Sequence, residues 1–485
     1  MRRDIEALTT ELIGLPRRER LEIARFLLFR NTLLVLLALC GAGYGEQTAA
    51  IGALAEYVAK PDASYRWAQR REGHLGAAVY TELLLTSQTW RGIVWKHRLF
   101  VIRPSIVPPD VKHGLLFIAG GRWEDRIEEF PNDDQPLDQL PDEARRLADV
   151  AEKFRAPVAL LLNVPRQPMF GDKQEDQLIS LTFEKYLDTR DAEWPLLLPM
   201  VKSATRAMDA AGEYAEEAWG LPIETYTATG ASKRGWTTWL LGAIDRRVTA
   251  IAPMVIDVLN MARQMEHQRD AWGDFSHEIG DYTERGLQDR LGTSAGEALL
   301  SMVDPYRYRR LLKQPKLIII GTNDPYWPLD ALNLYWNDLV GDKYILYVPN
   351  GRHDLADSSR VMGSLHALHQ QAATGRPMPD LSWEFSSGNN GLLLRVSSDP
   401  PPHAMRAWVA RAPTRDFREA RWTAFPMGHD GGRNVYALTA PSAGFAAVFG
   451  EAEYRIDPLP CYLSTNVRIV GESPNSAKSK VGTEQ

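Results

Sequence analysis

Residues 226–236 read Tyr226-Thr-Ala-Thr-Gly-Ala-Ser-Lys-Arg-Gly-Trp236, and this stretch decides how the rest of the chain is interpreted. A β-prone run ends at Gly230, Ser232 lies at the turn, and a helical pattern begins near Gly235. A serine between small residues at a sharp strand-to-helix turn is typical of a nucleophile elbow, which exposes the hydroxyl for attack. The common pattern G-x-S-x-G is matched in part, because the second glycine stands one place late. A catalytic serine at Ser232 requires a base and an acid elsewhere in the chain.

Continuous apolar runs alternate with helical patterns through residues 46–378. The strand-like runs are Gly114–Ala119, Val158–Val164, Val248–Pro253, Lys316–Gly321 and Lys343–Val348. Runs without polar alternation are typical of strands that are buried on both faces of a mostly parallel sheet. We therefore predict an α/β fold with a doubly wound, mostly parallel sheet of the α/β-hydrolase type.

Other segments complete this part of the chain. Ala78–Leu85 and Ile93–Ile102 flank Arg91-Gly92 and predict an antiparallel hairpin. Helical spacing predicts helices over Pro195–Trp219 and Pro328–Leu339.

Two regions lie outside the predicted sheet. Residues 257–308 are charged and aromatic, with helical but no strand patterns, and form either a cap over the site or a structural excursion beside it. Residues 379–471 contain short β-runs separated by turn residues, which predicts a small all-β, sandwich-like domain. The polar tail, residues 472–485, is expected to be disordered.

An acid and a base follow the elbow serine in the expected order. Asp324 comes after the run Lys316–Gly321, and His353 comes after the run Lys343–Val348. The triad of such enzymes occurs in the chain order serine, acid, histidine, on loops at the strand ends. We predict that Asp324 orients His353, and that His353 takes the proton of Ser232.

An oxyanion hole needs two backbone N–H donors. The residue after the serine, Lys233, is one candidate, and Gly121, in the loop after the first buried run, is the other. Gly120 and Gly121 could equally form a simple tight turn. The positive charge of Lys233 and Arg234 could serve a substrate, or both side chains could point away, with Arg234 paired to a structural acid such as Asp245.

Composition narrows the function classes. The chain has 485 residues, a formal net charge of −6 and a pI of about 6.0, which argues against a nucleic-acid binder. Its two cysteines, Cys40 and Cys461, allow no disulfide framework and no cysteine-based zinc site. His366 and His369 could share a metal, but a solvated helix face is favoured, and no cofactor or metal is expected.

The N-terminus, residues 1–45, carries an apolar run at Leu33–Ala42 with a basic flank before it and small residues after it. This arrangement predicts a signal peptide. The charged segment ahead of the run is unusual, and we favour a translation start nearer Arg25 over a cytoplasmic stub before an anchor. A lipoprotein signal ending at Cys40 is the other alternative.

Several stretches together resemble one protein family, the PhoPQ-activated pathogenicity-related proteins. They are Glu175-Asp176, Trp194-Pro-Leu-Leu-Leu-Pro-Met-Val201, Ala207-Met-Asp209, Thr229-Gly-Ala-Ser-Lys-Arg-Gly-Trp-Thr-Thr238, Ala252-Pro-Met254, Gly321-Thr-Asn-Asp324 and Thr414-Arg-Asp-Phe-Arg418. The resemblance covers roughly residues 50–465. It implies an exported protein of the α/β-hydrolase fold, linked to bacterial envelope stress and virulence, without an assigned substrate.

These observations predict an exported serine hydrolase, periplasmic or secreted, that acts on an ester or amide carbonyl. The charged segment 257–308 favours a polar substrate such as a peptide or a sugar ester. A peptidase, and a binding protein of the same fold without catalysis, are the alternatives. No nucleic-acid partner is expected, membrane contact is expected only through residues 1–45, and the oligomeric state is left open.

Overall fold

The structure of the chain is a computed structural model that describes residues 52–128, 139–388 and 391–472. The described residues from Leu54 onward form one compact unit. The predicted signal peptide lies outside the described residues, and so does the predicted disordered tail apart from Glu472. Within the described ranges, no helix is long and apolar enough to cross a membrane.

A nine-stranded sheet organises the first part of the chain, with the order β1-β2-β3-β5-β4-β6-β7-β8-β9. The strands are β1 (Arg66–Leu75), β2 (Ala78–Trp90), β3 (Ile93–Arg103), β4 (His113–Ile118), β5 (Val158–Leu161), β6 (Thr225–Ala231), β7 (Val248–Met254), β8 (Lys316–Gly321) and β9 (Lys343–Val348). The strands β1 to β3 are antiparallel neighbours, and β3 is antiparallel to β5. From β5 through β4 to β9 all neighbours run parallel. This is the strand order of an α/β-hydrolase sheet, so the predicted fold class is confirmed.

Helices connect the parallel strands and cover the sheet. They are α1 (Asp142–Phe154), α2 (Glu175–Thr189), α3 (Leu197–Trp219), α4 (Lys233–Ile244), α5 (Met261–Trp272), α6 (Gly280–Thr283), α7 (Leu287–Arg290), α8 (Ser294–Val303) and α9 (Ser358–Thr374). Helices α1 and α9 share an apolar core with sheet residues such as Leu160 and Leu346. Helix α3 contacts α4, β2 and β5. Gly220 at φ 61° and Gly375 at φ 73° end α3 and α9, because glycine adopts the left-handed conformation without a Cβ penalty.

The local predictions hold for the hairpin and fail at two other places. Strands β2 and β3 pair from Trp90 opposite Ile93 across the turn Arg91-Gly92, as predicted. Strand β1 was not predicted, because this edge strand is rich in charged residues and lacks an apolar run. The predicted helix over Pro328–Leu339 is wrong.

Two short 3₁₀ turns, Ala331–Leu334 and Trp336–Asp338, occupy that segment instead. The side chain of Asn333 donates a hydrogen bond to the carbonyl of Val467 at 3.1 Å. This contact joins the segment to a residue 134 positions later in the chain, and tertiary contacts of this kind override local helix propensity.

The segment 257–308 contains α5, α6, α7 and α8 and no strand, as predicted. It lies between β7 and β8 in the chain, and its helices line the cavity that contains Ser232. The cap-like insertion is therefore confirmed.

The last part of the chain is a β-sandwich. Its strands are β10 (Asp380–Gly388), β11 (Gly391–Asp399), β12 (Ala404–Ala412), β13 (Thr423–Pro426), β14 (Gly428–Asp430), β15 (Arg433–Thr439), β16 (Gly444–Ile456), β17 (Leu459–Ser464) and β18 (Arg468–Glu472). One sheet has the order β10-β11-β15-β14 and the other β13-β12-β16-β17, with β18 paired to β16. Leu394 and Val396 of the first sheet pack against Val409 and Val448 of the second. Residues of β16 and β17, including Cys461 and Leu463, also belong to the core that contains α9 and Leu346.

Candidate active site

Ser232 lies between β6 and α4 in a conformation that non-glycine residues rarely adopt. Its φ is 57° and its ψ is −125°. Such a conformation costs free energy and persists only where the surrounding structure enforces it, commonly at functional sites. The Ser232 side chain forms no capping hydrogen bond with the helix that it precedes. The sharp turn thus leaves the hydroxyl available for chemistry.

The late glycine of the motif has a steric reason. A Cβ on Gly235 would lie 2.7 Å from Cγ2 of Ile256 and 2.9 Å from the carbonyl oxygen of Met254. A Cβ on Gly230 would lie 2.8 Å from the carbonyl oxygen of Arg234. Since real Cβ contacts are longer than 3.0 Å, glycine is required at 230 and 235 for the first turn of α4 to pass the end of β7.

Asp324 and His353 are hydrogen-bonded to each other, as predicted. The distance from His353 Nδ1 to Asp324 Oδ2 is 2.9 Å. The Asp324 side chain is 3% exposed, and its second oxygen accepts a hydrogen bond from the backbone N–H of Tyr326 at 2.9 Å. The ring of Tyr326 stacks on the imidazole with 4.3 Å between the ring centres. The carboxylate is thus fixed at both oxygens, and the imidazole is held at Nδ1 and over one face.

Ser232 and His353 line one cavity of about 70 Å³, which we call the Ser232 cavity. Its walls are mainly apolar and are formed by Phe183, Trp236, Val255, Ile256, Val258, Met261, Met265, Ile279, Leu287, Leu291, Leu299 and Trp327. Among the described residues, no hydrogen bond joins the Ser232 hydroxyl to His353. Catalytic hydrogen bonds are often long in ligand-free enzymes and shorten when substrate binds.

A few polar groups also line this cavity. The ammonium group of Lys233 is 2.8 Å from Asp176 Oδ2, and the Tyr282 hydroxyl donates a hydrogen bond to Asp176 Oδ1 at 2.8 Å. The Lys233 side chain is therefore neutralised where it meets the cavity. The backbone N–H of Lys233 belongs to the first turn of α4, where N–H groups have no partner within the helix. It remains available for a developing negative charge next to Ser232.

Arg234 points away from the Ser232 cavity. Its guanidinium donates two hydrogen bonds to Glu175, at 2.6 and 2.8 Å, and one to the carbonyl of Val164, at 2.6 Å. Burial alone would raise the pKa of Glu175, but Arg234 and Lys233 lower it to about 2. Arg234 therefore pairs with a structural acid, but that acid is Glu175 and not Asp245, which forms an ion pair with Arg247.

Gly121 does not line the Ser232 cavity. It lines a neighbouring polar groove together with Gly120, Arg122, Glu175 and Arg234, which we call the Arg234 groove. A Cβ on Gly120 would lie 2.4 Å from Arg234 Nη2, so this glycine is required by the guanidinium packed against it. Gly121 has a φ of 122°, which favours glycine. Its role as an oxyanion donor remains a prediction.

Sequence reasoning missed Asp257, a fully buried acid that follows β7. Burial raises its pKa to about 7, and it forms no ion pair with any described residue. Its neighbours in the chain, Ile256 and Val258, line the Ser232 cavity. Its position after a buried strand, like that of Asp324, was a signal that could have identified it.

The sequence favoured a solvated helix face for His366 and His369, and this prediction is wrong because both are buried. His366 and His369 are 1% and 2% exposed and pack against Phe154. They belong to the core that α9 forms with α1. Over the described ranges, no group of three or more histidine, cysteine or acidic side chains could hold a metal ion.

Comparisons with known proteins give one family and one curated relative. The family model for PhoPQ-activated pathogenicity-related protein matches residues 54–418. The chain is 29% identical over 438 residues to autocrine proliferation repressor protein A of Dictyostelium discoideum, covering 83% of this chain and 85% of that protein.

Similar solved structures are distant in sequence. Acetyl xylan esterase 1 from Thermoanaerobacterium sp. is 15% identical with a TM-score of 0.46, covering 67% of this chain and 93% of that one. The glucuronoyl esterase from Solibacter usitatus is 12% identical with a TM-score of 0.36, covering 65% and 91%. An S-formylglutathione hydrolase from Agrobacterium tumefaciens is 11% identical with a TM-score of 0.41, covering 63% and 99%.

Proposed function

The chain belongs to the PhoPQ-activated pathogenicity-related protein family, and we propose that it is a serine hydrolase that cleaves esters through Ser232, His353 and Asp324. One observation carries this proposal. His353, which is hydrogen-bonded to Asp324, lines the same cavity as a serine held in a strained strand-to-helix turn. A structural serine would not require this backbone conformation, and a structural histidine would not require a buried carboxylate at Nδ1.

The reaction follows from which imidazole nitrogen is occupied. The Asp324 carboxylate accepts the hydrogen bond of Nδ1–H, which leaves Nε2 unprotonated and able to take the proton of Ser232. The serine oxygen then bonds to the ester carbonyl carbon, and the carbonyl electrons move to the oxygen. When this intermediate collapses, the bond to the alcohol breaks and His353 returns the proton to the leaving oxygen. Water repeats the same steps on the acyl-enzyme and releases the acid.

The backbone N–H of Lys233 supplies one donor for the oxyanion. The start of α4 adds the partial positive charge of a helix N-terminus at the same place. The second donor remains unassigned, with Gly121 as the prediction from the sequence. Removal of one such donor costs roughly 100- to 1000-fold in kcat in a well-studied protease, which sets the scale of this contribution.

The walls of the Ser232 cavity support an apolar acyl group on the substrate. The sequence favoured a polar substrate because residues 257–308 are charged, but the insertion presents Met261, Met265 and Leu299 to the cavity. Lys233, the lysine that lines the cavity beside the serine, is already paired with Asp176. We therefore propose that the substrate is an ester of a small apolar acid, with its alcohol part outside the cavity. Export of the protein through residues 1–45 is a separate part of the proposal.

An activity-based probe tests the proposal. A fluorophosphonate should label the purified chain on Ser232, as located by peptide mass spectrometry. Labelling should be lost in Ser232→Ala and slowed at least about 100-fold in His353→Ala, since the base provides a large part of the rate. Ser301→Ala is a matched control, because the hydroxyl of this half-buried serine of the insertion donates to the backbone carbonyl of Glu297 within α8, and the variant should label like the wild type.

Two other outcomes are informative. The absence of labelling of well-folded protein between about pH 6 and 9, where a neutral histidine can act, would contradict the proposal and favour a non-catalytic binding protein. A second candidate, a peptidase with the same triad, predicts measurable cleavage of a matched peptide amide, which an esterase should leave intact. The apolar, neutral cavity favours the ester.

A further inference from the structure

One loop of the β-sandwich lies against both loops that carry the proposed acid and base. This loop, residues 413–422 between β12 and β13, is called the β12–β13 loop below. It is remote in sequence from Asp324 and His353, yet it forms hydrogen bonds with a residue beside each of them. No part of the proposed chemistry uses it.

The first contact is with the loop of the acid. The side-chain amide of Asn323, the residue before Asp324, points at three backbone carbonyls of the β12–β13 loop. The distances are 3.2 Å to Phe417, 3.0 Å to Arg418 and 2.7 Å to Ala420. Asn323 is 6% exposed. A buried amide with that many acceptors fixes the backbone on which Asp324 is built.

The second contact is with the loop of the base. Asn350 lies between β9 and His353 and pairs with the backbone of Trp422 in both directions. Its side-chain N–H donates to the Trp422 carbonyl at 3.2 Å, and its side-chain oxygen accepts from the Trp422 N–H at 2.8 Å. Asn350 has a φ of 58°, a conformation that asparagine tolerates better than most residues.

The two catalytic loops are also tied to each other through these asparagines. The hydroxyl of Thr322 accepts a hydrogen bond from the Asn350 N–H at 2.8 Å and donates one to the Asn323 side-chain oxygen at 2.8 Å. The Asn323 N–H donates to the carbonyl of Gly351 at 2.9 Å. The sandwich, the acid loop and the base loop therefore form one closed hydrogen-bond network.

The same loop reaches the insertion as well. Arg415 forms an ion pair with Asp330 at 2.7 Å, and Asp330 accepts a hydrogen bond from His267 of α5 at 2.7 Å. The guanidinium of Arg418 lies 4.3 Å from the ring centre of Trp272, also on α5. The β12–β13 loop thus contacts the chain both just before Asp324, at Asn323, and after it, at Asp330.

We propose that Asn323 and Asn350 are positioning residues, through which the β-sandwich holds Asp324 and His353 in the geometry that activates Ser232. This inference rests on the proposed serine hydrolase function. It assigns the sandwich a part in the reaction although the sandwich contributes no group to the Ser232 cavity. Misplacement of a catalytic group by about 1 Å can cost roughly 100-fold in rate, so small losses of order in these loops should be measurable.

The test compares Asn323→Ala and Asn350→Ala with a control of the same kind. Asn333→Ala removes another side-chain amide that joins the α/β part to the sandwich, through Val467 at 3.1 Å and Asn466 at 2.6 Å, and it lies in a 3₁₀ turn nine residues after Asp324. On an activated short-chain ester, we expect kcat to fall at least tenfold in Asn323→Ala and Asn350→Ala with KM changed less than twofold. Asn333→Ala should lower the melting temperature about as much as Asn323→Ala does, and it should keep the wild-type kcat.

A second readout does not depend on turnover. The proton on Nδ1 of His353, hydrogen-bonded to a buried carboxylate, should give a downfield proton resonance in the wild type and in Asn333→Ala. It should broaden or vanish in Asn323→Ala as the pair opens to solvent. An unchanged kcat and an unchanged resonance in both Asn323→Ala and Asn350→Ala would overturn the inference. An inactive wild type that shows the resonance would instead count against the proposed hydrolysis, while its loss in Asn323→Ala would still support positioning.

Discussion

Charged side chains have different surroundings on the two sides of the Ser232 turn. Lys233 and Arg234 are adjacent in the chain, but the first faces the apolar Ser232 cavity and the second faces the polar Arg234 groove. Their counter-charges are also adjacent, at Asp176 and Glu175 at the start of α2. A single pair of acids therefore neutralises both cations, one on each side of the turn.

Two acids near the turn show what this arrangement achieves. Glu175, on the groove side, keeps its charge because Arg234 and Lys233 offset the cost of burial, and its pKa falls to about 2. Asp257, behind the cavity wall, has no such partner, and burial raises its pKa to about 7. The comparison teaches that buried charge is kept on both sides of the turn only where it is paired, as in Glu175 with Arg234 and Asp176 with Lys233, whereas the unpaired acid Asp257 has a raised pKa. Each prediction below tests one half of this contrast.

The largest expected effect concerns the wall of the cavity. Leu299 of α8 is 1% exposed and lines the Ser232 cavity. Leu299→Ala should cost about 3 kcal/mol of stability, as large-to-small core substitutions do. It should also raise the ratio of kcat/KM for a hexanoyl ester over an acetyl ester about tenfold, because the new space accepts a longer acyl chain.

Leu300→Ala is the matched control for this change. Leu300 is equally buried on the same helix but does not line the cavity. It should lose similar stability in urea unfolding with no change in the acyl preference. An equal shift of acyl preference in both variants would show that the cavity is not the acyl site.

The next effect concerns the groove. Arg234→Met removes the two hydrogen bonds to Glu175 and leaves a carboxylate with weaker partners. We expect a loss of about 2 kcal/mol, less than for a fully buried pair because the Glu175 side chain is 38% exposed. Urea unfolding measures this loss, and the acyl preference should stay as in the wild type. Arg146→Met, which breaks an exposed pair with Glu143, should cost no more than about 0.5 kcal/mol.

This groove effect should depend on pH with a definite sign. The folded-state pKa of Glu175 is lowered, so its stabilisation is present above the ordinary value of 4.5 and is lost as the pH falls towards 2. The stability gap between the wild type and Arg234→Met should therefore narrow under acid. A gap that is constant from pH 7 to pH 3 would contradict the assigned pairing.

The last effect concerns Asp257 and has the opposite sign. Its folded-state pKa of about 7 lies above the ordinary 3.8, so the folded state binds more protons between these values. Wild-type stability should fall as the pH rises through this range, and Asp257→Asn should remove that fall, so that its stability relative to the wild type rises from pH 4 to pH 8. Thermal unfolding at the two pH values measures it.

Asp330→Asn provides a control for the sign. Burial would raise the pKa of Asp330, but the hydrogen bond from His267 and the charge of Arg415 lower it. This variant should therefore lose stability at pH 8. A pH-independent gain in Asp257→Asn would show that the buried acid carries its charge throughout.

The sequence was sufficient for the parts of the site that local chain order determines. Ser232, Asp324 and His353 each follow a buried strand, and parallel strands bring the loops at their carboxyl ends to one edge of the sheet. The prediction of an acid–base pair therefore needed only the strand order. The end of the helix predicted over Pro195–Trp219 was similarly local, since α3 ends at Trp219.

Features that depend on non-local pairing could not be predicted. For a structural partner of Arg234 the sequence suggested an acid such as Asp245, a near neighbour, but the partner is Glu175, 59 residues away. The charge of the insertion suggested a polar site, yet composition averages over all faces of a helix, and Met265 and Leu299 face the cavity. The contacts of Asn323 with the sandwich link positions about 95 residues apart and leave no local pattern.

The core shared by α9, β16 and β17 has a consequence for the inheritance of this protein. A Cβ on Gly363 of α9 would lie 1.8 Å from the carbonyl oxygen of Pro460, so helix and strand meet backbone to backbone. Cys461 and Leu463 pack in the same cluster as Leu346 of the large sheet. Recombination that moved the C-terminal β-sandwich into another gene would remove part of the core that packs against α9. We expect the sandwich and the α/β part to be inherited together, and chimaeras between relatives to fold only when α9 and β17 come from the same parent.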